Sequence, residues 1–286
     1  MNTLLLAFCL AFSTPPVAVA PQTPAVAVQA PAEKAHLLER VAVIGASLSE
    51  GYGSKTTWQA TFEASLTRPM TCVLNKATAL TFMSPNRFAV PQAKKALEAK
   101  PTLLLAVDYL FWFGYGEQDL EAQPLASEEA RLALLEKGLA LLEGFECPVV
   151  VGDFPDMSDA VGVMLMPSQM PAPETLRKLN ERLAAWAKTK PNVVLISIST
   201  LVGDMQAAKP IKIGAQTYPA EQTARWLSED KLHPTGEGLA ALATEIGFEL
   251  EARKLLEGSE HTPDVPTTLA RRAQADAKAS AGGTSK

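Results

Sequence analysis

The sequence has few histidines, few cysteines and no excess of positive charge. Its 286 residues include three histidines and three cysteines, and the formal net charge is −5 at pH 7. Binding to nucleic-acid phosphates needs a basic face, and no cluster of Lys and Arg supplies one in the body of the chain. The composition therefore argues against a nucleic-acid partner. With 47% apolar residues, it is typical of one sizeable globular domain with tails.

Long apolar runs are also absent, so we expect no stable membrane span. The run at residues 3–12 is too short to cross a bilayer, and a stretch of Val and Ala follows at residues 17–20. A short apolar segment before small residues is typical of a secretory signal, although a basic segment before it is missing. We predict a signal peptide over residues 1–20, cleaved near Ala20, and export to the periplasm or the outside of the cell. Cys9 leaves a lipoprotein as a less favoured alternative, because the bulky Phe8 precedes it.

Only Cys72 and Cys147 remain after such cleavage. Export to an oxidising compartment would permit a disulfide bond between them. Each lies at the start of a predicted strand, and the two Cα atoms would be too far apart unless those strands are neighbours. We favour two buried free thiols and keep the bond as the alternative.

Tails flank the predicted domain on both sides. Residues 21–37 begin with a stretch rich in Pro, Ala, Val and Gln with almost no charge, which is typical of an extended linker. From Gly258 onward the chain is rich in Ala, Ser, Thr and charge without periodicity, which predicts a disordered tail over residues 258–286. The folded domain is expected at residues 38–257.

Short apolar runs alternate with helical segments through this domain. The predicted strands are residues 41–44, 71–75, 102–107, 148–152 and 193–197, the predicted helices are residues 57–66, 89–99, 128–142, 173–188 and 236–256, and a small hairpin is predicted at residues 211–218. Alternation of this kind predicts crossover connections and a parallel sheet covered on both faces. We expect an α/β fold, a three-layer α/β/α sandwich with a five-stranded parallel sheet whose third strand is central.

Two polar segments stand out against this background. Ser47 follows the first strand and Gly45, and open α/β folds place their sites at the carboxyl edge of the sheet. His233 is the only histidine in the predicted domain, because His36 lies at the linker boundary and His261 in the tail. Asp230, three residues before it, is close enough to bond a ring nitrogen. Alone, this D-x-x-H pattern is explained more readily by an Asp at a helix N-terminus and a surface His, but together with Ser47 it favours a Ser-His-Asp arrangement.

Other motifs are weaker. The elbow G-x-S-x-G needs glycine at position 49, which is Ser49. No grouping of His, Cys, Asp and Glu has the spacing of metal ligands. Asp153 and Asp156 could bind a cation at the edge of the sheet, although turn-forming carboxylates are the commoner explanation. We predict no metal and no cofactor.

The segment from Gly45 to Ser49 resembles the G-D-S-L-S opening block of the SGNH (GDSL-like) hydrolases, and residues 230–234 resemble their closing D-x-x-H-P block. The resemblance covers about residues 38–257. It implies a flavodoxin-like sandwich in which Ser47 is the nucleophile, His233 the general base and acid, and Asp230 the group that orients the imidazole.

The chain departs from that family pattern at the oxyanion donors. Ala77 stands where the second block usually has glycine, and its N–H remains a donor, together with that of Ser47. The third block, G-x-N-D, is replaced after the third strand by a segment that begins with Asp108 and has no asparagine, so one donor is missing. The aromatic segment that follows can line a pocket or cap the core, and capping the core is the commoner case. If it lines a pocket, the expected members are Asp108, Tyr109 and Trp112.

The predicted function is that of an exported serine esterase, similar to acetylesterases, which cleaves the ester of a small molecule or glycan through an acyl-enzyme. Substrate preference is expected to depend on the loops at residues 78–92, 109–127 and 154–172. Two alternatives remain open. One is a catalytically weak or silent domain that binds a glycan or envelope partner, and the other is an O-acyltransferase.

Overall fold

The polypeptide forms a parallel sheet packed between helices. A computed structural model describes residues 35–53, 56–125 and 127–282. The predicted signal peptide and most of the predicted linker lie outside the described residues. The strands are β1 (Val41–Val43), β2 (Leu74–Asn75), β3 (Leu103–Ala106), β4 (Val149–Gly152) and β5 (Val193–Ile196).

All neighbouring strands of this sheet are parallel, in the order β2-β1-β3-β4-β5. This confirms the predicted five-stranded parallel sheet, and the order is that of flavodoxin-like folds. The four residues of β3 are buried, as expected of a central strand covered on both faces. An antiparallel hairpin of β6 (Ile211–Ile213) and β7 (Gln216–Tyr218) confirms the predicted one.

Helices cover the sheet in the described part of the chain. They are α1 (Ser47–Glu50), α2 (Trp58–Ala64), α3 (Pro85–Glu98), α4 (Phe111–Tyr115), α5 (Glu128–Leu142), α6 (Pro173–Thr189), α7 (Ile198–Gln206), α8 (Ala220–Thr223), α9 (Gly236–Ala252) and α10 (Val265–Gly282), and short 3₁₀ turns lie at Ala79–Phe82, Ser158–Ala160 and Gly258–Glu260. None of these helices is both long and apolar enough to cross a membrane.

Local signals decide where the helices start. The side chain of Ser127 accepts a hydrogen bond from the N–H of Ala130, so α5 begins at Glu128 as its periodicity predicts. Helix α3 begins earlier than predicted, because Ser84 caps it and Pro85 occupies its first position, where the missing N–H needs no partner. The aromatic segment predicted as a loop contains the short helix α4.

The prediction of a disordered tail is wrong for residues 258–282, which form a 3₁₀ turn and α10. Val265 and Thr268 are fully buried, and the hydroxyl of Thr268 lies 2.9 Å from that of Thr244 on α9. Arg271 donates from Nε to the carbonyl of Ala64 (3.0 Å) and from Nη2 to that of Leu66 (2.6 Å). The segment is anchored by hydroxyls and a guanidinium, so its polar composition conceals its packing.

The two cysteines are free, as favoured from the sequence. Strand β2 spans only two of the five residues predicted, so Cys72 precedes it in an exposed turn with φ +47°. Its predicted burial is therefore wrong. Cys147 is partly buried, and desolvation raises the pKa of its thiol to about 11, which leaves it protonated at neutral pH.

Candidate active site

The polar residues predicted from the sequence meet at the carboxyl edge of the sheet, between β1 and β3. In this strand order the connections leave β1 and β3 in opposite directions, which opens a crevice between them. Ser47 is the first residue of α1, directly after β1, and Asp108 follows β3. A Cβ on Gly45 would lie 2.1 Å from Oδ1 of Asp108 and 2.4 Å from Oγ of Ser49. Only glycine leaves room for this close approach.

Asp230 and His233 form a closed unit within one short loop. Oδ2 of Asp230 accepts from Nδ1 of His233 at 2.7 Å. Oδ1 accepts from the hydroxyl of Ser228 (2.5 Å) and from the N–H groups of Leu232 and His233 (2.9 Å each). The imidazole is therefore oriented by its carboxylate, and the bond to Nδ1 assigns the proton to that nitrogen when the ring is neutral.

The same contacts keep Asp230 ionised. Partial burial opposes ionisation, but the hydrogen bonds from His233, Ser228 and Leu232 outweigh it and lower the pKa of Asp230 to about 2. A carboxylate that accepts several N–H bonds holds its charge well below neutral pH. Asp230 can therefore stabilise an imidazolium at His233 over the whole physiological range.

Ser47 and His233 line the same two cavities, so the structure brings all three predicted triad residues together. The imidazole is 6% exposed, and its Nε2 is buried without a hydrogen-bond partner among the described residues. No hydrogen bond joins Nε2 to the Ser47 hydroxyl in this structure. The ring of Tyr52 lies beside the imidazole, with 5.2 Å between centroids.

The two cavities differ in volume. The smaller, about 50 Å³, lies over the strand ends and is bordered by Asp108 and Asp153. The larger, about 250 Å³, opens on the other side of Ser47. It takes residues from each of the three loops expected to set substrate preference, with Phe82 from the first, Trp112 from the second and Met164 from the third. Tyr52 and Leu232 were not predicted, and no sequence pattern marks them.

Asp108 borders the smaller cavity, as expected, but its carboxylate is bonded to α1. It accepts from the N–H of Leu48 (2.9 Å), the N–H of Ser49 (3.3 Å) and the hydroxyl of Ser49 (2.5 Å). Burial raises the pKa of Asp108, and these hydrogen bonds only partly offset it. An ionised carboxylate has no proton to donate, so Asp108 does not replace the missing asparagine in that state.

Two predicted site residues lie elsewhere. The N–H of Ala77, the expected oxyanion donor, donates to Oδ1 of Asn75 at 3.0 Å, and Ala77 lines neither cavity. The side chain of Asn75 accepts from this N–H in an Asx turn, a local hydrogen bond that asparagine commonly forms. Tyr109 is fully buried, with its hydroxyl donating to the carbonyl of Ala89 at 3.0 Å, so it belongs to the core rather than to a pocket.

The described residues include no group of three or more His, Cys, Asp and Glu side chains that could hold a metal ion. The two carboxylates considered for a cation are bonded to nearby backbone. Asp153 accepts from the N–H and the hydroxyl of Ser199 (2.6 and 2.5 Å), and Asp156 from the N–H of Ser158 (2.9 Å). These contacts agree with the structural explanation for both.

No protein-family model and no curated protein matches this chain. Several solved structures resemble it. One is a putative acylhydrolase from Bacteroides fragilis, with 17% identity, coverage of 76% of this chain and 88% of that one, and a TM-score of 0.48. Another is a GDSL-like lipase from Bacteroides thetaiotaomicron, with 16% identity, coverage of 75% and 89%, and a TM-score of 0.46. A third is a salicylyl-acyltransferase from a tetracycline biosynthetic pathway, with 15% identity, coverage of 76% and 55%, and a TM-score of 0.41. These identities and scores are too low to assign a role to any residue of this chain.

Proposed function

We propose that the protein is a serine hydrolase that cleaves carboxylic esters through an acyl-enzyme, with Ser47, His233 and Asp230 as its triad. The observation that carries the proposal is the imidazole of His233. Asp230 bonds its Nδ1, while its Nε2 is buried and unpartnered among the described residues, beside a cavity shared with Ser47. A buried nitrogen without a partner is energetically unfavourable, and use as a proton acceptor is one explanation for such a group.

The chemistry follows from this arrangement. Nε2 of His233 takes the hydroxyl proton of Ser47 as Oγ attacks the ester carbonyl, and the resulting imidazolium returns that proton to the departing alcohol oxygen. Water then repeats the sequence on the acyl-enzyme and releases the carboxylic acid. The attack requires Oγ to move within hydrogen-bond reach of Nε2, a tightening that commonly accompanies substrate binding.

Stabilisation of the oxyanion rests on fewer groups than the sequence predicts. The N–H of Ser47, at the first position of α1, has no acceptor among the described residues and remains the donor in our proposal. The N–H of Ala77 would have to leave Asn75 before it could contribute. Because the loss of one such donor lowers the rate by about a hundred- to a thousandfold, we expect slow turnover.

Labelling with a fluorophosphonate probe tests the proposal directly. Wild-type protein should be labelled and should hydrolyse a short-chain aryl ester, and Ser47→Ala should lose both. Ser158→Ala removes an exposed hydroxyl from another loop and serves as the matched control, with labelling kept. Labelling that persists in Ser47→Ala would overturn the assignment of the nucleophile.

A silent binding domain is the second candidate, and the environment of Asp108 favours it. A carboxylate beside Ser47 opposes an oxyanion, and the missing donors weaken catalysis further. Well-folded wild-type protein that takes no probe but binds a glycan would support this function. Acyl transfer uses the same triad, and it would be recognised by a sugar hydroxyl accepting the acyl group in competition with water.

Export is part of the proposal, since its basis lies at residues 1–20. Amino-terminal sequencing of protein recovered from the periplasm or medium tests it. A mature chain that begins near residue 21 would support export, and protein confined to the cytoplasm with residue 1 retained would contradict it.

A further inference from the structure

The two cavities beside Ser47 suit groups of different size. For comparison, an engineered apolar cavity of about 150 Å³ binds benzene. The larger cavity, about 250 Å³, therefore has room for a ring or a folded alkyl chain. The smaller one, about 50 Å³, has about a third of the volume that binds benzene and therefore suits a smaller group.

The larger cavity is apolar and aromatic. The rings of Phe82 and Trp112 lie 5.9 Å apart between centroids on one side of it, and two flexible thioethers, Met164 and Met166, lie on another. Apart from His233, none of its lining residues has an acidic or a basic side chain. The amide oxygen of Gln169 is occupied by the N–H of Met166 at 2.7 Å. The remaining polar groups of its lining residues are the hydroxyls of Ser47 and Tyr52, the amide nitrogen of Gln169 and Nε1 of Trp112, which is buried without a partner among the described residues.

Exposed apolar side chains gather around the same opening. The large hydrophobic residues with high exposure in the described chain are Tyr52, Leu80, Phe82, Met83, Leu97, Val163, Met164 and Met166. Four of them line the larger cavity. Met83 and Val163 adjoin two of these in sequence, and Leu80 adjoins Ala79, another lining residue, so only Leu97, at the other end of the sheet, is outside the group. Single exposed hydrophobics are ordinary, but such a concentration marks a binding surface.

A buried cation holds the wall of this cavity in place. Arg131 of α5 is 7% exposed and donates to the carbonyls of Gly114 (2.8 Å) and Gly116 (3.1 Å) at the end of α4, which carries Trp112. It also donates to the carbonyl of Ser168 at 2.6 Å, which follows Met164 and Met166 in the same loop. The end of the helix that carries Trp112 and the loop that carries Met164 and Met166 are thus both bonded to Arg131. The cavity is therefore formed before a ligand binds.

We infer that the substrate of the proposed esterase is an asymmetric ester. Its bulky apolar group, an alkyl chain of about six carbons or a single ring, occupies the larger cavity. The group on the other side of the ester is no larger than an acetyl or ethyl unit and occupies the smaller cavity. This inference rests on the proposed function, and it favours a small apolar ester over an acetylated glycan.

Four esters test the asymmetry: ethyl acetate, hexyl acetate, ethyl hexanoate and hexyl hexanoate. Each methylene buried in the larger cavity should raise kcat/KM about fourfold. At least one of the two asymmetric esters should therefore exceed ethyl acetate by about a hundredfold. Hexyl hexanoate should gain nothing beyond the better asymmetric ester. Equal values for ethyl acetate and both asymmetric esters, or faster release of acetate from an acetylated oligosaccharide, would overturn the inference.

Variants locate the effect in the cavity. Ala79→Trp fills it, and Phe82→Ala removes part of its wall, so both should lower the ratio of kcat/KM for the better asymmetric ester to that for ethyl acetate by about tenfold. Leu97→Ala removes an equally exposed apolar side chain far from the site and should leave that ratio unchanged. An unchanged ratio in both cavity variants would place the preference elsewhere.

Failure of this inference is distinguishable from failure of the proposed function. Probe labelling with similar rates for all four esters would reject the asymmetry and keep the hydrolase. Absence of labelling and of all hydrolysis would reject the hydrolase. Calorimetry on Ser47→Ala, which should not turn over, adds an independent readout. Tighter binding of an asymmetric ester than of ethyl acetate supports the inference, and equal binding contradicts it.

Discussion

The two halves of the candidate site are built differently. In the half that holds the base, the hydrogen bonds recorded for the Asp230 carboxylate all come from residues 228–233. In the half that holds the nucleophile, the contacts join distant segments. Asp108 bonds Leu48 across 60 residues, and the N–H of Gly45 donates to the side chain of Gln92 at 2.8 Å across 47 residues. The base is oriented by a local loop, whereas the surroundings of Ser47 depend on the assembled sheet.

This difference also appears in the electrostatics. Hydrogen bonds lower the pKa of Asp230, so its loop stabilises a charge that the proposed reaction uses. Burial raises the pKa of Asp108, so a negative charge on this carboxylate beside Ser47 is energetically unfavourable. Under the proposed function, the base half is therefore already organised in the free protein, and the nucleophile half would limit the rate.

The largest expected effect comes from breaking the base half. Asp230→Asn keeps the shape of the loop but favours the wrong tautomer of His233, and kcat should fall by about 10⁴-fold. Steady-state kinetics with the best ester measures this. Ser228→Ala, which removes only one bond to the same carboxylate, is the matched control and should lose about tenfold or less. Equal losses in the two variants would mean that the carboxylate acts on the loop rather than on the imidazole.

A smaller effect should follow from Asp108→Asn, and it should depend on pH. A carboxyl whose pKa is raised by folding contributes stability below its unfolded pKa, about 3.9, and loses that contribution as pH rises through the folded value. The Tm of wild-type protein, relative to that of Asp108→Asn, should therefore be highest near pH 4 and fall by a few degrees towards pH 8.

Thermal unfolding of both proteins across this pH range checks the sign. Asp264→Asn changes a partly buried carboxylate that accepts from the N–H of Thr267 at the start of α10, and it provides the comparison. A wild-type advantage that grows with pH would show that Asp108 is stabilised as an anion, contrary to its burial.

The smallest effect concerns the turn inside the base loop. Lys231 has φ +62°, a left-handed conformation that is unfavourable for a residue with a side chain, and it is exposed. Lys231→Gly should change the free energy of unfolding by less than about 1 kcal/mol and keep activity, while Lys231→Val should destabilise by about 1–2 kcal/mol. Urea unfolding measures both, and equal stability of the two variants would show that the loop tolerates another backbone conformation.

The sequence predicts the base half better than the nucleophile half, because the contacts of the base half are local and those of the nucleophile half join distant segments. Asp230 and His233 are three residues apart, so their contact follows from local geometry. Ser47 is identified by its position after a strand. Which N–H groups near it are free to stabilise an oxyanion depends on the acceptors they bind in the folded chain. In this structure the N–H of Ala77 is bonded to the side chain of Asn75, two residues away, which the sequence expectation did not include.

The fold shows a similar division. Buried apolar strands and the capped helix α5 are evident from periodicity, and the strand order agrees with the expected flavodoxin-like sheet. The segment at residues 258–282 has few apolar residues, so its contacts through Thr268 and Arg271 are invisible to pattern analysis. The wall of the larger cavity comes from irregular loops without periodicity, and its residues are identified only when the three loops converge.

The position of Arg271 has a consequence for how the polypeptide assembles. The carbonyl groups of Ala64 and Leu66 at the end of α2 accept hydrogen bonds from Arg271, which is synthesised 207 and 205 residues later. On a ribosome that adds about 5–20 residues per second, these groups remain solvated for roughly ten seconds or longer. Native closure of the fold is therefore a late event in synthesis, and it joins two segments from nearly opposite parts of the described chain.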